Sequence, residues 1–476
     1  MNVKTWQQDQ FLVGNRYLHK FPGDFWSIDE LLPSFDGQYL ERAPSWTGHI
    51  DLATDYKTTS GAFYSEPNDK FMFVGISEEG ASDVVGLMDI EHDDLTVTRV
   101  WTMQGTPPGA IGGVHKENVY FIMNSFWFVG DDGDVYAAST PFAGTPYNRY
   151  TDGNAIALLP CRDRMFLVND LDEIYEYNVS TTSFDLFHDT HMLLDVKHAL
   201  HFREHILLFA NHDDGSVIIY QLPNRPPTSL RELVRMPHET GQYLPDSGSA
   251  QWGTPFEIHD DRLYFSPGIY WSPSSDCEIT PIWIYDGNSV ELLENVEAPI
   301  VPTAWGLTQW RGRLILYYLN TSAQYLYVLH NGRFVLFNTA SYTLPAHADL
   351  YSIGGEVWMP TMDGGTEGWT YLDAFATGTF TTSWLDMGRP TVQKHLNTLS
   401  AIVSDPAADL TVKIEYRTES GSWTTAVQTA NSRHITKENI KLDFYMLQIR
   451  ITFTEGTGGT ETTKLQSLGA TCSYGR

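Results

Sequence analysis

The sequence predicts an all-β chain: a seven-bladed β-propeller followed by a small C-terminal β-sandwich. Three observations carry this. Two-strand patterns recur seven times in order, the composition favours pleated surfaces, and the pattern changes character after Phe375. The clearest copy is DRMFLVNDLDEIYEYN, from Asp163 to Asn178. An apolar run, an acidic turn and a second run through Ile174 and Tyr175 read as an antiparallel hairpin.

Six further copies align with it: KFMFVG with DVVGLMDI (from Lys70 and Asp83), NVYFIM with GDVYAAST (Asn118, Gly133), HILLFA with GSVIIYQL (His205, Gly215), RLYFSP with PIWIYDG (Arg262, Pro281), RLILYY with QYLYVLHNG (Arg313, Gln324), and EVWMPT with GWTYLDA (Glu356, Gly368). Six second strands carry a tyrosine at a comparable place: Tyr136, Tyr175, Tyr220, Tyr285, Tyr327 and Tyr371. The steps between them are 39, 45, 65, 42 and 44 residues, and the first copy has Leu87 there, 49 residues before Tyr136. A period of roughly 40 to 50 residues, with room for two more strands per unit, is that of propeller blades. The competing reading is an irregular β-sandwich with fortuitous spacing. Tyrosines at a blade period read as core and inter-blade packing rather than sugar-stacking platforms.

Composition agrees. Among 476 residues are 14 Trp, 25 Tyr and 24 Phe, and helix-period stretches are scarce, which suits half-buried pleated surfaces. The formal charge is −29, which opposes non-specific adhesion to nucleic acid and anionic membranes yet allows a passage through which DNA slides without sticking. Cys161, Cys277 and Cys472 are sparse, odd in number and in no metal spacing, as expected for synthesis in a reducing compartment. The start, MNVKTWQQDQF, lacks a signal-peptide layout, and no apolar run approaches the ~20 residues of a membrane span. A soluble protein without membrane insertion is expected.

In chain order, residues 1–65 form an irregular, aromatic-rich segment expected to pack on the propeller and lend its last blade an outer strand, closing exposed edges. Within it WSIDELL, Trp26 to Leu32, reads as a short helical turn capped by Ser27. Residues 66–379 hold the propeller. Its longest step contains an insertion, Asn224 to Trp252, in which Ser229 to Met236 reads as one short helix. The insertion is either a binding loop or a tolerated surface excursion. Residues 380–476 read as a separate β-sandwich. In LTVKIEY, Leu410, Val412, Ile414 and Tyr416 alternate with Thr411, Lys413 and Glu415, the mark of a sheet with one wet face.

No motif for catalysis stands out: no His-Glu-x-x-His, no Gly-x-Ser-x-Gly, no Walker loop, and no Ser-x-Asp-x-Gly-x-x-Trp turn. Gly130-Asp131-Asp132-Gly133-Asp134 lacks the later glutamate of a calcium loop and reads as a tight turn. His188 and His191 have no third ligand at an obvious spacing. His212-Asp213-Asp214 and His259-Asp260-Asp261 read as turns of the repeat. An acid pair for glycoside cleavage cannot be singled out among 59 Asp and Glu. Catalytic, cofactor and metal residues are therefore all expected to be absent.

SWLDMGRPTVQKHLNTLSAIV, followed by a strand and later by YMLQIRITF, resembles the C-terminal sandwich of structural proteins in tailed-bacteriophage virions. There a Trp-x-Asp-x-Gly-x-Pro…Lys segment leads out of a large β domain; here Trp384, Asp386, Gly388, Pro390 and Lys394 fill it. The resemblance covers about the last 95 residues, and the rest only in architecture. It implies a nozzle or hub subunit of a tail ring around the DNA channel, partnered by its own copies and by other tail proteins such as an adaptor ring. DNA would pass without specific binding, and the protein would be made in the host cytoplasm and reside in the virion. The alternatives are a carbohydrate-binding propeller recognising host glycan and a glycoside hydrolase.

Overall fold

A computed structural model describes residues 2–8, 27–29, 31–33, 40–42, 44–46, 50–51, 56–65, 70–79, 82–90, 97–102, 119–123, 125–129, 133–139, 147–162, 164–191, 194–236, 255–272, 277–300, 302, 304–320, 322–344, 350–353, 356–363, 366–375, 378–382, 384–385, 391–404, 411–419, 421–430, 432–454 and 464–474. Among them every regular element is a β-strand, so the chain is all-β. None forms a helix long and apolar enough to cross a membrane. The chain divides into two compact units, Gly48–Tyr325 with Ser341–Tyr371, and Met1–Thr47 with Leu326–Ala340 and Leu372–Arg476.

Successive antiparallel meanders follow the repeats. The first is Tyr56–Ser65, Lys70–Glu79, Ser82–Ile90 and Val97–Thr102; the second Val119–Ile122, Ser125–Val129, Val135–Ser139 and Tyr147–Tyr150. The third is Ala155–Cys161, Arg164–Asn169, Glu173–Asn178 and Ser183–Asp189; the fourth Asp195–Phe202, His205–Asn211, Val217–Pro223 and Arg231–Met236. The fifth orders Phe256–His259, Arg262–Phe265, Cys277–Tyr285 and Val290–Glu297, with Tyr270–Ser272 paired on the first half of its third strand. The sixth is Ala304–Trp310, Arg313–Asn320, Ala323–His330 and Arg333–Ala340. The seventh begins with Tyr351–Ile353, Glu356–Asp363 and Thr366–Phe375, and takes its outer strands from Pro44–Trp46 and Ile50–Asp51.

In six of the repeats the two quoted strands are the second and third of a meander, paired directly, as Leu167 with Tyr175 or Leu208 with Tyr220. The copy at Asn118 differs. Ser125–Val129 intervenes between its two runs and pairs with both, so Val119–Ile122 is the first strand there. The tyrosines pack between sheets. Tyr175 meets Tyr150 of the preceding meander edge-on at 5.5 Å, Tyr285 meets Phe202 at 5.5 Å, and Tyr220 joins a cluster spanning the third and fourth meanders. Further clusters join the second meander to the third and the fourth to the fifth. Each fully buried large side chain in them contributes about 1.5–3 kcal/mol relative to exposure.

Both helical expectations are corrected. Ser27–Asp29 and Leu31–Pro33 are strands, with Ile28 opposite Phe380 and Leu31 opposite Arg42. Arg231–Met236 is the fourth strand of its meander, with Val234 opposite Ile219. In each case ladder pairing with a distant or preceding strand outweighs a local preference of a few tenths of a kcal/mol per residue. Most of the rest of the insertion, 237–252, lies outside the described residues.

The second unit contains two further sheets. One orders Leu31–Pro33, Leu40–Arg42, Lys464–Tyr474, Lys394–Ser404 and His434–Phe444, with Asn2–Gln8 also on Lys464–Tyr474. The other orders Ser27–Asp29, Gly378–Thr381, Leu447–Thr454, Thr411–Thr418 and Thr424–Ala430. Alternating residues Val412 and Ile414, and Ile449 and Ile451, with Leu396 and Leu399 on either side of a bulge, fill one core between them. Strands from the first 42 residues thus join both sheets, which composition alone does not show.

Candidate interaction surface of the C-terminal sandwich

The sequence singles out Thr411, Lys413 and Glu415 as a wet face, and the register puts chemistry on it. Glu415 stands opposite Arg450 and Arg417 opposite Gln448. Arg450 donates from Nε to Glu415 Oε2 at 2.7 Å, while Lys413 Nζ lies 3.0 Å from Oε1. Glu415 is 5% exposed. Burial pushes its carboxyl up, but the bonds and charges of Lys413 and Arg450 outweigh this and hold it below the usual range.

Two tryptophans lie over these groups. The Arg450 guanidinium is 4.3 Å from the Trp423 ring centre, and Arg417 is 4.8 Å from Trp423 and 5.2 Å from Trp384. Arg417 also donates to Gln448 Oε1 at 2.7 Å, and Gln448 donates to the Thr382 carbonyl at 2.8 Å. The result is a ladder of ring, guanidinium, ring, guanidinium and carboxylate, each cation–π rung worth about 0.5–1 kcal/mol or more where desolvated. Trp423 is carried in place by a tight turn in which Gly421 N bonds the Thr418 carbonyl at 3.1 Å; a Cβ on Gly421 would lie 3.0 Å from Thr418 Oγ1.

Of the residues that carry the resemblance, Asp386, Gly388 and Pro390 lie outside the described residues. Trp384 heads the ladder. Lys394 is fully buried, donating from Nζ to the carbonyls of Val392 at 2.7 Å and Tyr445 at 2.8 Å. Leu385 and Leu447 exchange backbone bonds beside it. Charge also separates along the sequence: residues 380–476 hold ten Lys and Arg against nine Asp and Glu, leaving 20 against 50 in the first 379.

The other candidate clusters are turns and corners. Asp134 accepts from Asn148 Nδ2 at 2.7 Å and from Gly153 N at 3.0 Å, closing one end of the second meander, while Gly130 to Asp132 lie outside the described residues. A Cβ on Gly133 would meet the Gly153 backbone at 2.5 Å. His188 bonds Thr228 while His191 pairs with Asp189, so the two imidazoles serve different partners. His212 and His259 sit in different hairpins, between second and third strands in one case and first and second in the other. Among the described residues no three His, Cys, Asp or Glu side chains group around a metal position.

Two arrangements had no signal in the sequence. Cys161 Sγ lies 3.0 Å from His201 Nε2, and Asn224 Nδ2 lies 3.0 Å from the same nitrogen. Burial pushes the thiol up and the imidazole down, which leaves a neutral pair rather than a thiolate nucleophile. Asp172, in the hairpin of the clearest repeat, is 1% exposed at φ 62°. One carboxylate oxygen accepts Leu194 N; the other is buried with no hydrogen-bond partner among the described residues. Burial first, then Asp195 and Asp170, raise its carboxyl to about 6.

No protein-family model and no curated protein matches the chain. Among solved structures, a chain of the S. cerevisiae assembly of Dbp5 with Nup159, Gle1, IP6 and ADP is 10% identical at TM-score 0.42, covering 73% of this chain and 98% of that one. The exo-β-1,3-galactanase of Phanerochaete chrysosporium with β-1,3-galactotriose is 13% identical at TM-score 0.31, covering 90% and 100%. Its complex with galactose is 12% identical at TM-score 0.30, with the same coverage. At TM-scores below 0.5 these likenesses bear on neither the fold nor the chemistry of the chain.

Proposed function

We propose that the chain is a structural subunit of a tailed-bacteriophage virion, a nozzle or hub subunit that forms a ring with its own copies around the DNA channel and acts without catalysis. In this reading the meanders are blades of a closed seven-bladed propeller. Two contacts support closure: the first strand of the seventh meander, Tyr351–Ile353, lies against that of the first, Tyr56–Ser65, and Ile50–Asp51 adds to the seventh. The excess of 30 negative charges in the first 379 residues suits a passage that DNA traverses without adhering. Other tail proteins, such as an adaptor ring, are the further partners.

The observation that carries the reading is the anchoring of the resembling segment. Trp384 and Lys394, two of its five motif positions, both fix the lead-in of the sandwich, the place in the chain where the resemblance sets the segment. The test is the mass of the full chain by light scattering, alone and mixed with candidate tail proteins. A defined ring, unaided or with a partner, is expected. A chain that stays monomeric with every partner yet binds or cleaves a polysaccharide overturns the reading.

The half-buried Trp384 and Trp423 favour a second reading, recognition of host glycan. It is the weaker one because the guanidiniums of Arg417 and Arg450 already lie over Trp423, leaving less ring face for a sugar. A glycan array separates the two. A glycoside hydrolase, which requires two carboxylates at a set separation, has less support still.

A further inference from the structure

The ladder on the sandwich contains one guanidinium whose donors are not used up. Lys413, Glu415 and Arg450 close on one another: one oxygen of Glu415 takes Arg450 at 2.6 and 2.7 Å, and the other lies 3.0 Å from Lys413 Nζ. Glu419 is engaged elsewhere, accepting the backbone N–H groups of Tyr445 and Met446 at 3.4 and 3.2 Å. Arg417 stands between these two acids in the chain and pairs with neither. Its Nε donates to Gln448 Oε1 at 2.7 Å, and Gln448 is itself held by the Thr382 carbonyl. The side chain is half-buried, over the rings of Trp384 and Trp423. Its two Nη groups, and the N–H groups of both indoles, have no acceptor among the described residues.

We infer that Arg417 anchors a binding site for a carboxylated sugar, a uronic acid unit of an acidic glycan. Charge selects the anion. The in-plane edge of a guanidinium matches the two oxygens of a carboxylate in parallel hydrogen bonds, and the ligand supplies the counter-charge that Arg417 lacks. Lys413 and Arg450 are already bound to Glu415, so one positive charge remains to be met. A singly charged carboxylate fits that better than a doubly charged phosphate.

The rings select the sugar. Two guanidiniums lie over Trp423 and one over Trp384, so Trp384 is the ring with face to spare. An indole offers an apolar face and an N–H at its edge, which suits a pyranose with C–H faces and peripheral hydroxyls. An acidic protein side chain would use the guanidinium and leave the indoles idle. The site is also ordered in advance, by the Gln448 bond and by the Gly421 turn that carries Trp423, so little freedom is lost on binding. The inference deepens the second reading above, recognition of host glycan, and rests on it: it names the group on the glycan that is read.

The experiment is calorimetric titration of the full chain with methyl β-D-glucuronide, methyl β-D-glucoside and acetate. The first carries ring and carboxylate, and each of the others carries one of the two. The glucuronide is expected to saturate with a dissociation constant on the order of millimolar, at least tenfold tighter than either comparator. Arg417→Gln should weaken it tenfold or more, and Arg417→Lys, which keeps the charge without the fork, about threefold or more. Trp384→Ala should abolish the preference for glucuronide over acetate. The inference is overturned if the glucuronide does not saturate, if glucoside or acetate binds as well, or if Arg417→Gln binds as wild type does. Should Arg417→Gln not fold, the lysine variant and the three-ligand comparison decide. A glycan array separates this failure from that of the reading: neutral glycans bound alone sink only the inference, and no glycan bound sinks both.

Discussion

Arg164 grips Glu176 through two parallel hydrogen bonds, Nε to Oε1 at 2.6 Å and Nη2 to Oε2 at 2.7 Å. A third bond runs from Nη1 to the Asn224 carbonyl at 2.6 Å, and the guanidinium lies 4.5 Å from the Phe166 ring centre. One side chain therefore spans two strands of the third meander and reaches the end of a strand in the fourth. The pair is only partly exposed, 23% and 33%, so solvent screens it less than an ordinary surface bridge. Arg164→Met should lower the urea-unfolding free energy by about 2–3 kcal/mol, because it leaves a half-buried carboxylate and a carbonyl without their donor. Glu176→Gln keeps one acceptor and should lower it by about 1 kcal/mol. Equal effects from the two variants would show that the Asn224 contact adds nothing.

How far this arrangement is legible in the sequence differs by element. Ile174 to Tyr177 and its counterparts are legible because a strand has a period of two and a repeated unit multiplies the signal. Tyr175, Tyr220 and Tyr285 stand where the spacing implies, packed against the preceding sheet. Ser27–Asp29 is not legible, since its partner Gly378–Thr381 is far along the chain and its own letters fit a capped turn. Arg231–Met236 misleads for a related reason: Arg231, Glu232, Leu233 and Arg235 suit a helix, and pairing with Val217–Pro223 decides otherwise. The ladder is half legible. Lys413 marks a wet face, but Glu415, expected on it too, is buried against Lys413 and Arg450, and Arg417, Trp423 and Arg450 meet only once the register sets Arg417 against Gln448.

Lys394 is an ammonium used as a double backbone cap. Its two carbonyl acceptors are on Val392, two residues earlier in the chain, and on Tyr445, just past the paired strand His434–Phe444, and the side chain is fully buried. Lys394→Met fits the same space yet leaves both carbonyls without that donor, each worth about 1–3 kcal/mol when buried. Removing the desolvated ammonium offsets part of this. The net expectation is a loss of about 1–3 kcal/mol, read as a lower unfolding midpoint. Near-UV dichroism of the ladder tryptophans would report whether the lead-in at Trp384 loosens with it.

Asp172 gives the third meander a pH dependence of a particular sign. Burial holds its folded-state carboxyl at about 6, above the ordinary value of 3.8. Below 3.8 both folded and unfolded chains are protonated and the group adds no penalty. Stability is then lost as pH rises through the folded value, by at most about 3 kcal/mol. Asp172→Asn removes the titration. The variant should gain on wild type between pH 4 and pH 7, measured as the difference in unfolding midpoint at each pH. A constant difference across that window would mean that the carboxylate is solvated after all.

Glu415 carries the opposite sign. Its folded-state carboxyl lies below the usual range because the donors Lys413 and Arg450 outweigh the effect of burial. The stability that it contributes is therefore present above the unfolded value and lost as pH falls through the folded one. Arg450→Met removes the closer donor and one rung over Trp423 together. At neutral pH the variant should lose about 2–3 kcal/mol, since a carboxylate 5% exposed keeps only Lys413 as its charged partner. On acidification the gap should narrow, because protonating Glu415 removes the charge that Arg450 served. Unfolding midpoints at pH 7 and pH 4 measure this directly. Glu415→Gln should show the same narrowing without a change in Trp423 fluorescence, and that separates the charge from the stacking.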